Sequence, residues 1–117
     1  RVKWAGRTEW IVAGVVEVLA NPAPPDPPTA FSALRAGGAT ALDWRNAASG
    51  FWRTQILRNE SNDSATATVI ASVDGVAGQV SSYEDPLTGA GQRWYWARTV
   101  NASGVTSALT GPETVTL

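Results

Sequence analysis

Five of the seven prolines in this chain fall within residues 21–28. Because proline has no backbone N–H and a fixed φ, this stretch can form neither a helix nor a central β-strand. We expect it to run extended, close to polyproline II, as a semi-rigid linker. The linker divides the chain into a short piece, residues 1–20, and a longer piece, residues 29–117.

The short piece is rich in Val, Ile and Trp between Trp10 and Leu19, which is typical of β-strands. A segment this short cannot bury a core alone, so we predict strands that end an upstream domain or dock on a neighbouring chain. The alternative is an extra strand that packs on the long piece. Since the sequence begins with Arg1 rather than Met, we expect a processed product or part of a longer polypeptide.

The long piece shows almost no helical periodicity. Its apolar residues come in short runs separated by Gly, Asn, Asp and Ser, a pattern typical of a β-sandwich. The pattern predicts an all-β fold of seven strands, at residues 29–36, 39–45, 51–58, 65–73, 80–83, 93–100 and, broken at Gly111 and Pro112, 107–109 with 113–117.

Composition excludes several classes of function. The chain has neither Cys nor His, which excludes zinc fingers, disulfide frameworks, thiol catalysis and catalytic histidines. Nine basic residues against ten acidic ones give a formal net charge of -1, which excludes a strongly basic nucleic-acid-binding domain. No run of about 18 apolar residues is present, so we expect no membrane-spanning segment.

The remaining polar motifs predict no catalytic, cofactor or metal site. Glu84 and Asp85 are adjacent acids, but neighbours on a strand point to opposite faces and make a poor catalytic pair. Residues 59–63 carry oxygen ligands that could hold Ca²⁺, yet they lack the EF-hand spacing and are typical of a loop. Residues 89–91 have no following Lys and are expected to form a turn rather than a phosphate loop. We therefore predict that the protein is not an enzyme.

Several short motifs, in their order and spacing, resemble a fibronectin type III domain over residues 27–117. The Pro-Pro-Thr-Ala-Phe start is similar to the first strand of that family, and Trp44 stands at its core tryptophan position. Further motifs resemble its third, fifth and sixth strands: Gln-Ile-Leu-Arg at 55–58, Tyr-Glu-Asp at 83–85, and the run at 97–104. The resemblance implies a fibronectin III (immunoglobulin-like) sandwich.

The sequence departs from the family at one position. The family usually places a Tyr six residues after a Leu, and the Tyr hydroxyl caps a corner between strands. Six residues after Leu87 this sequence has Arg93. Either the Arg93 guanidinium replaces the phenol, or a bulge shifts Tyr95 into that role.

Strand alternation divides residues 93–100 between two faces. Tyr95, Ala97 and Thr99 fit the interior between the sheets, which leaves Trp94 and Trp96 pointing outward. The predicted structural core is Trp44, Ile56, Tyr83, Leu87, Tyr95 and Ala97. The predicted interaction surface is Trp94, Trp96, Arg98, Trp4 and Trp10.

Two outward indoles would form an apolar patch of the kind that marks a contact surface. Three interpretations remain open, of which we prefer the first. The patch packs against another subunit or against the strands of residues 1–20; it is buried in the sandwich after a register slip; or it stacks on sugar rings at a cell surface.

The segment at residues 93–101, with the turn that follows it, resembles fibronectin modules in tail-tip, host-specificity proteins of tailed bacteriophages. In those proteins the module follows an upstream hub domain through a Pro-rich joint. The resemblance implies a structural module of the virion whose partners are other tail or baseplate subunits and a host-surface glycan or protein. The alternative is a carbohydrate-contacting accessory module of a secreted, extracellular bacterial enzyme or adhesin.

Overall fold

The computed structural model describes residues 23–86 and 89–117. These residues form β1 (Thr29–Ala36), β2 (Ala39–Arg45), β3 (Arg53–Asn59), a 3₁₀ turn (Ser64–Thr66), β4 (Thr68–Val73), β5 (Val80–Pro86), β6 (Gln92–Val100) and β7 (Thr110–Thr116). The predicted all-β fold with seven strands is confirmed. The strands predicted within residues 1–20 lie outside the described residues. No helix in the described ranges is long and apolar enough to cross a membrane.

The strands form two antiparallel sheets that pack face to face. One sheet has the order β1-β2-β5 and the other the order β4-β3-β6-β7. The chain therefore changes sheets three times, between β2 and β3, between β4 and β5, and between β5 and β6. The first two of these connections meet at one end of the sandwich, which we call the Asn46 pole because Asn46 joins them.

The core lies between the sheets and follows strand alternation. Trp44 of β2, Ile56 of β3 and Tyr95 and Ala97 of β6 belong to one buried cluster, which also contains Phe31, Leu42 and Val115. Tyr83 is half-buried and packs against this cluster. Leu87, the remaining residue of the predicted core, lies outside the described residues.

The last strand was predicted as two pieces, but the structure has one. β7 runs without a break through Gly111 and Pro112, and residues 107–109 lie outside it. Tyr95 pairs with Glu113 and Ala97 with Thr110, so Gly111 and Pro112 together oppose the single residue between them on β6. This β-bulge on an edge strand accommodates a proline, which has no N–H to donate to the sheet.

The described part of the Pro-rich linker packs against the sandwich. Pro25 and Pro28 are buried, and the Thr110 hydroxyl donates a 2.8 Å hydrogen bond to the Pro28 carbonyl. Gly50, in the β2–β3 loop, has a φ of +73°, and a Cβ there would lie 3.0 Å from Pro25 Cβ. Residues 23–28 therefore lie against the domain, and the division of the chain at the linker stays a prediction.

Candidate functional site

The predicted interaction residues of β6 lie on the side of the four-stranded sheet that faces away from the core. Alternation places Trp94, Trp96 and Arg98 there, because Tyr95 and Ala97 point into the core. The strand registers bring side chains from the neighbouring strands to the same side. We call this surface the outer face, formed by Arg53, Gln55, Leu57, Val69, Ser72, Trp94, Trp96 and Arg98.

Trp96 lies on the outer face but offers little accessible surface. It is 3% exposed, and Leu57, directly opposite it on β3, is 4% exposed. On its other side lies the β7 bulge, where a Cβ on Gly111 would come within 3.2 Å of Trp96 Cδ1. A side chain in the middle of the sheet is thus flanked by both neighbouring strands. Trp94 is half-buried, and Trp4 and Trp10 lie outside the described residues.

The most accessible tryptophan of the described chain is Trp52, which sequence analysis had placed in the third strand without a role. Its side chain is exposed, with 48% of the residue's surface accessible, and it lies directly before β3. Its backbone N–H donates a 3.0 Å hydrogen bond to the Val100 carbonyl. The Arg53 guanidinium lies over the indole, 4.5 Å from the ring centroid. Arg53 Nε is also 2.9 Å from a carboxylate oxygen of Asp74. We call Trp52, Arg53 and Asp74 the Trp52 corner.

Two long polar side chains follow the Trp52 corner along the outer face. Gln55 and Arg98 are cross-strand partners, and Arg98 Nε donates to Gln55 Oε1 at 2.8 Å. Arg53 precedes Gln55 by two residues and so lies one position along the same face. An indole, a carboxylate, an amide and two guanidinium groups are thus gathered on one side of the sheet.

A buried asparagine fixes the loops that carry this corner. The Asn46 side-chain oxygen accepts hydrogen bonds from Trp44 Nε1 at 2.8 Å and from the Thr54 hydroxyl at 3.2 Å. Its amide nitrogen donates to the Val76 carbonyl at 3.0 Å and to Ser81 Oγ at 2.8 Å. Asn46 directly follows the second predicted strand, and sequence analysis assigned it no role. Trp44, two residues earlier, could have indicated this role, because a buried indole N–H needs a hydrogen-bond acceptor close by.

The adjacent acids Glu84 and Asp85 point apart, and Asp85 serves the fold. Its buried carboxylate accepts two hydrogen bonds from Arg58 Nη1, at 2.8 and 2.7 Å, and one from the Tyr95 hydroxyl at 2.7 Å. Burial raises the pKa of Tyr95 to about 12, and the hydrogen bond to Asp85 also raises it. The hydrogen bonds to Asp85 raise the pKa of Arg58 above its ordinary value. The Asp85 carboxylate is therefore fully engaged.

These contacts also bear on the choice between Arg93 and Tyr95. Tyr95 is fully buried and its hydroxyl joins β6 to Asp85 of β5 in the other sheet. The Arg93 guanidinium instead donates to the Gln92 carbonyl at 2.9 Å and lies 3.8 Å from a Glu60 carboxylate oxygen. The phenol that links the sheets is that of Tyr95.

The loop considered for Ca²⁺ uses its oxygens internally. Asp63 caps the 3₁₀ turn by accepting from the Ala65 N–H at 3.0 Å, and Asn59 Nδ2 donates to the Asp63 carbonyl at 2.8 Å. Beside the loop lies a concavity of ≈ 290 Å³ lined by Arg58, Asn59, Glu60 and Thr68. The described ranges contain no group of three or more acidic side chains that could hold a metal ion.

No protein-family model and no curated protein matches this sequence. Solved structures do match. A fibronectin III-like (Fn3-like) protein from Clostridium thermocellum is similar with a TM-score of 0.61 and 24% identity, over 79% of this chain and 92% of that protein. The likeness shows the fold, which is fibronectin III-like.

Two bacterial pectate lyases contain a similar fold. Pel3 from Pectobacterium carotovorum matches with a TM-score of 0.63 and 21% identity, over 77% of this chain and 27% of the lyase. PelI from Erwinia chrysanthemi, in complex with tetragalacturonic acid, matches with a TM-score of 0.58 and 21% identity, over 75% of this chain and 28% of the lyase. This chain therefore spans about a quarter of the length of either lyase. None of the three neighbours described here links it to phage tail proteins.

Proposed function

We propose that this domain is a non-catalytic accessory module that binds polysaccharide through the Trp52 corner and the adjoining outer face. The observation that carries the proposal is the half-exposed Trp52 indole with carboxylate, amide and guanidinium groups beside it. Sugar rings stack their apolar faces on aromatic rings, while their hydroxyls need donors and acceptors close by. The Trp52 corner and Gln55 supply both kinds of contact.

The fixed geometry of the corner supports a binding role. The Arg53 guanidinium lies over the indole, and its Nε is 2.9 Å from a carboxylate oxygen of Asp74. The loops on either side are joined through Asn46. A surface that is already ordered loses less conformational entropy when a ligand binds.

The similar fold inside two pectate lyases supports a setting for the module. Each match covers about a quarter of a larger enzyme that is named for its action on a polysaccharide. We place this chain likewise in a secreted, extracellular bacterial enzyme or adhesin, where it would hold the larger protein to its substrate or surface. Catalysis would belong to another part of that protein.

Location in a phage tail tip stays a prediction that rests on the resemblance of residues 93–104. In that setting the outer face would contact other tail or baseplate subunits, or a host-surface protein. A change at Trp52 would then alter assembly between protein chains and leave polysaccharide binding unaffected.

Affinity electrophoresis of the whole chain through gels with polygalacturonate, xylan or hydroxyethyl cellulose tests the proposal. We expect retardation by at least one polymer, and a roughly tenfold weaker affinity in the Trp52→Ala variant because the stacking surface is lost. Leu34→Ala is the matched control, since Leu34 is 69% exposed on the three-stranded sheet. Equal weakening by both variants, or no retardation of the parent, would contradict the proposal. A change in self-association of Trp52→Ala alone would favour the tail assembly.

A further inference from the structure

Arg98 is a guanidinium on the outer face that lacks an acidic partner among residues 23–86 and 89–117. Three other described arginines have one: Arg53 pairs with Asp74, Arg58 with Asp85, and Arg93 with Glu60. Arg98 is half-buried, and the described carboxylates all lie more than 4 Å from its guanidinium nitrogens. No carboxylate of the described residues therefore neutralises its positive charge.

The bond to Gln55 fixes the orientation of this guanidinium. Arg98 Nε donates to Gln55 Oε1, which leaves the two terminal nitrogens with their N–H groups. A planar guanidinium presents these donors as a fork that matches the two oxygens of a carboxylate. Because the orientation is already set, a carboxylate ligand would bind without a further loss of side-chain freedom.

Resting on the proposed function, we propose that the polysaccharide bound at this face is acidic, and that Arg98 binds the carboxylate of a uronic acid residue. Trp52 would stack on one sugar of the chain while Arg98 binds the acid group of another. The Trp52 corner offers less free charge, because the Arg53 guanidinium already has the Asp74 carboxylate beside it. The net charge of -1 on the whole chain gives no general attraction for polyanions, so the preference would be local to Arg98.

The test compares polygalacturonate with its methyl ester, which has the same backbone and uncharged side groups. We expect the parent chain to bind polygalacturonate about 10- to 100-fold more tightly than the ester, as a charge-assisted hydrogen-bonded pair provides. Arg98→Gln should remove this preference, so that the two polymers bind with similar affinity. Arg98→Lys, which keeps the charge but loses the planar fork, should retain only part of it.

Arg35→Gln is the matched control, because Arg35 is an exposed arginine on the three-stranded sheet and the change in net charge is the same. It should leave both affinities unchanged. Equal loss in Arg35→Gln and Arg98→Gln, or equally tight binding of dextran sulfate, would show a general charge effect and overturn the inference.

The two proposals fail in different ways. If the parent binds both polymers equally and Trp52→Ala weakens both, the polysaccharide-binding role stands and the acidic preference is overturned. If the parent binds neither polymer nor any neutral polysaccharide, both proposals are overturned. Unfolding of the Arg98 variants in urea should match that of the parent, since this side chain lies outside the core cluster.

Discussion

At the scale of single residues, Asn46 shows how one polar side chain can hold two loops in place. It is 3% exposed, and its amide accepts from two side chains and donates to two further groups. Trp44 and Thr54 are fully buried, and without Asn46 the indole N–H and the hydroxyl would lack a hydrogen-bond acceptor, which is costly in free energy. The arrangement also sets a steric limit on the opposite loop, because the Asn46 amide lies directly against Gly75.

We predict that Gly75→Ala lowers the free energy of unfolding by about 1–3 kcal/mol, the range for overpacking a filled site. A Cβ on Gly75 would lie 2.6 Å from Asn46 Nδ2 and 2.6 Å from Ser81 Oγ, so these groups must move and their hydrogen bond must weaken. Urea unfolding followed by circular dichroism measures the change.

Gly38→Ala is the control for Gly75→Ala. Gly38 also has a negative φ, and a Cβ there would meet nothing within 4 Å. Its unfolding free energy should stay within about 0.5 kcal/mol of the parent, as for most surface substitutions. If both alanine variants lose the same free energy of unfolding, the proposed steric limit at Gly75 is wrong.

At the scale of elements, the two sheets are joined by polar contacts as well as by the apolar core. Asp85 of β5 accepts from Arg58 of β3 and Tyr95 of β6, so one strand of the three-stranded sheet is tied to two strands of the other. The tie depends on a neutral phenol beside a carboxylate. It should therefore respond to alkaline pH.

We predict that the unfolding free energy falls between about pH 10 and pH 12. Tyr95 has a pKa of about 12 in the folded chain against 10.0 as the ordinary value. Since the folded state holds this proton more tightly, the unfolded state ionises first and becomes relatively more stable as pH rises. A pKa difference of two units corresponds to a total loss of about 2.7 kcal/mol in unfolding free energy. The loss begins near pH 10, and below that pH the contribution of Tyr95 is fully present.

Urea unfolding at several pH values from 8 to 12 measures this dependence. Tyr95→Phe should lose this part of the alkaline fall, because phenylalanine has no proton to release. Tyr83→Phe, which alters the half-buried tyrosine next to the core, should keep it. An unchanged fall in Tyr95→Phe would assign the alkaline sensitivity to another group.

Local patterns in the sequence were enough to predict most of the strands and the faces of β6, but not the course of the last strand. Alternation put Tyr95 and Ala97 inside, and Gly, Asn and Asp marked most of the breaks. The Trp52 corner could not be predicted, because Arg53 meets Asp74 only after β3 and β4 pair. Likewise, Trp96 lies beside Leu57 and beside the bulge of the last strand only once β3, β6 and β7 have paired. Such contacts are set by register between strands, which local patterns do not encode.

At the scale of the whole molecule, the linker prolines extend the folded unit beyond its first strand. Pro25 lies against Gly50 at the Asn46 pole, and the Pro28 carbonyl is bound by Thr110 of β7. The buried surface of these residues contributes to stability in proportion to its apolar area. The folded unit therefore begins by Pro25 rather than at Thr29.

We predict that a chain of residues 29–117 unfolds at lower urea concentration than a chain of residues 23–117. Loss of two buried prolines and one hydrogen bond should cost about 2–4 kcal/mol. The difference is measured from the urea midpoints of the two chains, provided that the unfolding free energy depends on urea concentration with the same slope in both. Identical midpoints would mean that residues 23–28 lie on the surface without stabilising it.

The described chain enters and leaves the sandwich at opposite ends. Thr29 pairs with Arg45 beside the Asn46 pole, whereas the Leu117 N–H donates to the Gly91 carbonyl at the start of β6, at the far end. Tension along the polypeptide would therefore pass lengthwise through the module and slide β1 along β2, loading many hydrogen bonds at once. In a longer polypeptide that continued at both ends, a domain connected in this way would act as a mechanical coupling and add about 23 Å, the length of a seven-residue strand, between its neighbours.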